Sequence, residues 1–133
     1  MKALICKKFG SIQDLVWSDL DEAFCGDRQV RYRTEVATIG FMDTLMVKGL
    51  YQLKPPIPYV PGAVSSGVVT EVGCDVKGVH IGQRVSALDY YGAFAEERVV
   101  GEEAVVAIPE EIEYEQAAAF RLTFTPSYLA LVN

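Results

Sequence analysis

Residues 55–73 read PPIPYVPGAVSSGVVTEVG, a proline-rich elbow that turns through a glycine into an apolar stretch. Proline fixes its own φ and forces extended geometry on the residue before it, so Ile57 and Val60 are pre-set and little loop entropy is lost on folding. Gly62 makes the turn, and the segment Val64 to Val72 follows as a strand. Because VSSGVVTEV mixes small and apolar residues on both faces, this strand is expected to lie between two closely approaching layers. Gly67 there permits a bend, a bulge or the approach of another backbone. A strand of that kind needs neighbours, which restricts the chain to a mainly β architecture.

The neighbours are visible as short β-branched runs between turn residues. In QVRYRTEVAT, Gln29 to Thr38, Val30, Tyr32, Thr34, Val36 and Thr38 alternate with Arg31, Arg33, Glu35 and Ala37, the period of a half-buried strand. Further strands are expected at Ala3 to Lys7, Leu15 to Asp19, Arg84 to Leu88, Ala93 to Val100 and Val105 to Ile108. FMDTLMVKGLYQ predicts one or two helical turns from Asp43 to Lys48, ended by Gly49. PEEIEYEQAAAF predicts a short helix starting near Glu113 or Tyr114. A second helix is expected at Pro126, with Thr125 as its N-cap and proline at the first helical position. The tail PSYLALVN is largely apolar, and Tyr128, Leu129, Leu131 and Val132 have no evident later element to pack upon.

Composition excludes several classes. At 133 residues one core is expected, and no run approaches the roughly 18 consecutive apolar residues of a membrane span. The start, MKALICKKFG, has no small-residue cleavage site and is not read as a secretory signal. The net charge of −6, with scattered basic residues, argues against a nucleic-acid partner. Cys6, Cys25 and Cys74 form no C-x-x-C pair, which implies reduced thiols in a cytoplasmic protein. The single histidine, His80, lies in the turn KGVHIGQR and is read as a surface residue.

The segments MKALICKKFG, GFMDTLMVKGLYQLKPPIPYVPG, SSGVVTEVG, IGQRVSAL, GAFAEERVV and EQAAAFRLTF occur in one order and spacing. On these the chain resembles the amino-terminal GroES-like domain of medium-chain dehydrogenase/reductases, in the zinc-independent NADPH:quinone oxidoreductase (zeta-crystallin-like) branch. The resemblance covers nearly the whole chain and is weakest across DEAFCGDRQ. It implies a mainly β fold, a GroES-like, partly open β-barrel with short helices and a C-terminal helical tail. Residues 1–121 would form the substrate-side domain and residues 122–133 a remnant of an interdomain helix.

The resemblance also implies a cleft. Its candidate residues are Gly40, Asp43, Tyr51 and Val64, with Thr123 as a candidate near the nicotinamide. Tyr51 matches an aromatic position close to substrate, where it would offer a flat face and a hydroxyl to a quinone; it could equally cap the barrel mouth. Asp43 matches an acidic residue at the cleft helix, where a carboxylate also stabilises a helix N-terminus. The departures from the family matter as much. Gly40 replaces an asparagine, Val64 an acidic residue, and Pro126 a threonine whose hydroxyl and N–H would serve a cofactor. Ala63 and Val64 stand where zinc-dependent relatives place metal ligands, so no metal is expected.

No glycine-rich dinucleotide fingerprint follows a strand and opens a helix. The expectation is therefore a substrate-side half of a quinone or enone oxidoreductase, not competent alone and binding no cofactor by itself. NADPH would come with a Rossmann-domain partner, and a small apolar carbonyl or quinone would be the ligand. The exposed tail implies a homo-oligomer through the C-terminal helix. The alternatives are a non-enzymatic binding or oligomerisation module derived from the same family, or a truncated fragment.

Overall fold

The computed structural model describes residues 1–132. Strands β1 (Lys2–Ile5) and β2 (Val16–Asp19) form an antiparallel pair, with Lys2 opposite Asp19 and Ile5 opposite Val16. The remaining strands are β3 (Gln29–Thr38), β4 (Val64–Val72), β5 (Arg84–Leu88), β6 (Glu97–Gly101) and β7 (Val105–Ala107). They make one antiparallel sheet in the order β6-β3-β4-β5-β7. The expected strand from Ala93 becomes regular only at Glu97. Residues 94–96 instead dock β1 onto the sheet, through Leu4 N–H to Phe94 O (2.9 Å), Glu96 N–H to Lys2 O (3.0 Å) and Thr34 N–H to Glu96 O (2.8 Å). The result is the partly open barrel, its free edge at β7.

β4 is the central strand its composition implies, with Val64, Ser65, Ser66, Gly67 and Val69 all buried. Opposite it, β3 carries a bulge: Thr34 pairs with Gly67 and Val36 with Ser66, leaving Glu35 as the extra residue. A Cβ on Gly67 would sit 1.9 Å from the Arg33 carbonyl oxygen. Glycine is required there because another backbone occupies the space. Val30, Tyr32, Val69, Val85, Ala87, Val100 and Val105 form the barrel core. The expected alternation of β3 fails at Arg31, which is only 9% exposed. Its guanidinium is held by Glu71 (2.9 Å), Glu97 (3.3 Å) and the Ala23 carbonyl (2.5 Å), so an outward-phase position is covered by the loop before the strand.

Helix α1 (Phe41–Val47) ends as expected before Gly49, whose φ of +71° is the left-handed geometry that favours glycine. The expectation of two C-terminal helices is corrected. A single helix, α2 (Tyr114–Val132), runs through Pro126. Its start is fixed by Glu113 N–H donating to Gln116 Oε1 (3.0 Å) and by Arg84, which stacks on the Tyr114 ring at 4.5 Å and donates to Ile112 O (2.7 Å). Around the proline, Thr123 Oγ1 donates to Ala119 O (3.0 Å) and Ser127 Oγ to Thr123 O (2.8 Å). These hydroxyls bond back along the helix instead of capping a new one. The boundary drawn between residues 121 and 122 consequently falls inside a continuous helix.

Gly67→Ala should lower the thermal midpoint, with a loss of about 1–3 kcal/mol from forced overpacking. Gly78→Ala, where a Cβ meets nothing within 4 Å, should leave the midpoint unchanged. Equal midpoints for the two variants in thermal denaturation would contradict the steric account.

Candidate functional site

β3 ends at Thr38 and the chain turns through Ile39 and Gly40 into α1. Gly40 is the N-cap, in extended geometry, and has no side chain with which to cap. The bond runs the other way: Gly40 N–H donates to Asp43 Oδ2 at 2.8 Å. Asp43 therefore serves locally at the helix start, the second of the two roles its position implied. It is also buried, at 5% exposure, and its other oxygen, Oδ1, has no hydrogen-bond partner. Burial pushes its pKa up from the ordinary carboxylate value, and the Gly40 and Ala63 amides and the charge of Arg98 oppose that rise only in part.

Arg98 is the residue that sequence reasoning missed. It is 3% exposed and lies in the barrel interior. Nη2 donates to Ala63 O and Tyr91 O, both at 3.0 Å, while Nη1 reaches Tyr32 Oη and Ser65 Oγ, both at 3.3 Å. Tyr32 Oη and Ser65 Oγ are themselves 2.6 Å apart. The signal was available in GAFAEERVV: strand alternation puts position 98 on the same face as the buried Val100.

Val64 pairs with Thr38 and Leu88 in the sheet and packs with Ala63, Ala118, Met42 and Leu122. It is fully buried beneath α2. Leu122 also crowds Gly40, because a Cβ at that position would meet Leu122 Cδ2 at 2.8 Å. Gly40, Asp43 and Val64 are thus brought together at the start of α1, and a leucine fills the corner between them. Tyr51 belongs to a different cluster, half-buried against Cys6, Met46, Val47 and Tyr59. Thr123 is exposed, its hydroxyl committed to the helix carbonyl of Ala119. The five candidates do not converge on one point.

The elbow is pinned along its second half. Cys6 and Tyr59 exchange backbone hydrogen bonds (2.9 and 3.1 Å), and Val60, Pro61 and Gly62 accept from Gly92, Phe94 and Ala93 (2.7, 3.0 and 3.0 Å). Pro55 and Pro61 are buried, and Tyr59 meets Tyr91 edge-on at 5.6 Å. The prolines hold a rigid wall from which Leu50, Leu53 and Ile57 project into solvent, with Ile39 and Phe41 exposed beside Gly40. Ala63 and Val64 offer no donor to a metal. Asp27, Cys74 and Asp75 bring potential ligand atoms within 4.8 Å of one another, but all three are exposed. A hydrogen bond to Asp27 pushes the Cys74 thiol pKa up, against thiolate formation.

Asp43→Asn should be at least as stable as the parent at pH 7, because Asn keeps an acceptor for Gly40 and removes a buried charge. A folded pKa raised above the unfolded value stabilises fully below the unfolded pKa, and that contribution is lost as pH rises through the folded pKa. The variant's advantage should therefore shrink as pH falls toward 3.8. Denaturant melts across this range in which the gap stays constant or widens would overturn the account.

The comparisons with known proteins agree with this geometry. Residues 26–110 match the alcohol dehydrogenase GroES-like domain. The chain is 32% identical over 130 residues to quinone oxidoreductase-like protein 2 of Rattus norvegicus, covering 98% of this chain and 37% of that protein. It is 37% identical over 123 residues to a quinone oxidoreductase of Pseudomonas aeruginosa, covering 91% and 38% respectively. Among solved structures, human synaptic vesicle membrane protein VAT-1 homolog-like protein superposes with a TM-score of 0.93 at 32% identity, over 98% of this chain and 42% of that one. The Thermus thermophilus quinone oxidoreductase, solved also with NADPH, superposes with a TM-score of 0.84 at 34% identity, over 98% and 40%. The chain thus spans little more than a third of the length of these curated relatives. With the barrel, the pinned elbow and helix α1 in place, and residues 26–110 matching its domain, the chain belongs to the alcohol dehydrogenase GroES-like domain family.

Proposed function

We propose that this chain supplies the substrate-side wall of a zinc-independent, NADPH-dependent quinone or enone reductase, acting in the cytoplasm. The observation that carries the reading is its likeness, over 98% of its length, to a quinone oxidoreductase solved with NADPH. Quinone oxidoreductases recur among its relatives.

The residues of this chain do not by themselves fit NADPH. The Thr123 hydroxyl is spent on Ala119, Pro126 has no N–H to give a phosphate, and Leu122 occupies the corner at Gly40. No glycine-rich turn is present to cradle a pyrophosphate. When supplied by a Rossmann domain, the dinucleotide would deliver the hydride. This chain would contribute an apolar surface of Ile39, Phe41, Leu53 and Ile57, exposed and rigidly backed, on which a flat carbonyl compound is held and water excluded. Tyr51 packs instead in the cluster of Cys6, Met46, Val47 and Tyr59, which carries the elbow through Tyr59. No helix among the described residues is long and apolar enough to cross a membrane.

The isolated chain should bind no NADPH in calorimetric titration, reduce no simple quinone and carry no stoichiometric zinc by elemental analysis. Grafted onto the nucleotide-binding part of the Thermus thermophilus enzyme, it should support NADPH oxidation by a quinone, with Phe41→Ala raising KM by about tenfold as one exposed aromatic face is lost. Micromolar NADPH affinity of the chain alone would overturn the proposal, as would a folded but inert chimera.

A further inference from the structure

Three polar atoms in the interior have no partner in the protein, and they come from three separate segments: Asp43 Oδ1 in α1, Tyr59 Oη in the elbow and Arg98 Nε in β6. Asp43 and Tyr59 are 5% exposed and Arg98 3%, so bulk solvent does not reach these atoms. A buried donor or acceptor without a bond is costly, and native interiors leave few of them.

The three side chains are gathered around one residue of the elbow. Arg98 Nη2 donates to Ala63 O at 3.0 Å, and the amide of the same Ala63 acts on the Asp43 carboxylate. Arg98 Nη2 also reaches Tyr91 O at 3.0 Å, and the Tyr91 ring meets Tyr59 edge-on at 5.6 Å. Asp43 acts electrostatically on Tyr59, as Arg98 does on Asp43. Opposite charges attract strongly in a low-dielectric interior, yet none of the ion pairs among the described residues joins Arg98 to Asp43. Guanidinium and carboxyl are near enough to feel each other and too far apart to touch.

We infer that Asp43 Oδ1, Tyr59 Oη and Arg98 Nε hold one water molecule between them, a buried solvent site that ties α1, the elbow and β6 together. Donors and acceptors balance. The water oxygen accepts from Arg98 Nε–H and from the Tyr59 hydroxyl, and one water proton is donated to Asp43 Oδ1. That makes three bonds, the usual number for a buried water. With legs of about 2.7–3.0 Å, one water spans roughly 4.5–5.5 Å, a separation at which an ion pair is broken and a bridge is made. Cys6 is the competing partner for Tyr59. Its sulfur lies beside the hydroxyl, but its own proton goes to Lys8 O (3.1 Å), which leaves only a weak sulfur acceptor. The inference uses no substrate and no cofactor, and so stands apart from the catalytic reading.

In the 15N-labelled chain, the Arg98 Hε resonance should show a cross-relaxation peak at the water frequency, with opposite signs in the laboratory and rotating frames, the mark of a water that tumbles with the protein. The peak should persist in Tyr59→Phe, which excludes relay through the exchanging hydroxyl proton. The same variant should lower the thermal midpoint by about 3–5 °C, the loss of one hydrogen bond in a chain of this size, and by as much in a Cys6→Ala background. An Arg98 Hε with no water peak overturns the proposal, whether because the guanidinium pairs directly with Asp43 or because the site is dry. So does a Tyr59→Phe protein at least as stable as the parent, the result expected of a hydroxyl with nothing bound to it. A loss that vanishes in the Cys6→Ala background overturns it as well, because it assigns the hydroxyl to the sulfur.

Discussion

The fold is organised around a positive charge with almost no water. Arg98 is buried in the barrel and its two Nη nitrogens are bonded to neutral oxygens, from the elbow (Ala63), the loop before β6 (Tyr91) and the core hydroxyls of β3 and β4 (Tyr32, Ser65), while Nε has no partner in the protein. Removing one partner of such a network leaves the others buried without bonds, which costs more than the bonds themselves contribute in water. The arginine thereby ties three segments far apart in sequence to one point. Its charge also reaches Asp43, whose carboxylate is otherwise disfavoured by burial. The elbow, helix α1 and the sheet are therefore held in one electrostatic frame.

Much of this was legible in the sequence. The prolines and Gly67 specified a constrained approach to a doubly covered strand because their backbone effects are local and do not depend on partners. The placement of Gly49 at the end of α1 was legible for the same reason. Arg31 was not, since it lies out of phase with the buried face of β3 and is covered through Glu71 and the Ala23 carbonyl; for Arg98 strand alternation signals the buried face, but not the partners such as Ala63, tens of residues away, that make burial tolerable. The fate of Pro126 was misjudged because Thr-Pro reads equally as a helix start or as an interior break. Thr123 and Ser127, whose hydroxyls bond back along the helix, belong to the second case.

The candidate site was legible as a list of positions and not as a geometry. Asp43 showed one of its two alternatives, the local one, through its bond to Gly40. Val64 and Gly40 were recognised as departures from the family pattern, but only the fold shows that the departures meet. The space an asparagine side chain would need is taken by Leu122, which reaches it because α2 is unbroken. Tyr51 packs on a separate cluster that includes Tyr59 of the elbow, apart from the start of α1.

The contact between Gly40 and Leu122 makes two distant positions a single steric unit. Any side chain at 40 must displace Leu122, and Leu122 is part of the packing of Ala63, Val64 and Ala118 that seats α2 on the barrel. Reintroducing a side chain into that corner therefore acts on α2 through one methyl group: Leu122 Cδ2 has to turn aside, and the packing it gives Val64 and Ala118 changes with it. The seating of α2 on the barrel is thus set in part by what residue 40 lacks, a position more than eighty residues earlier in the chain.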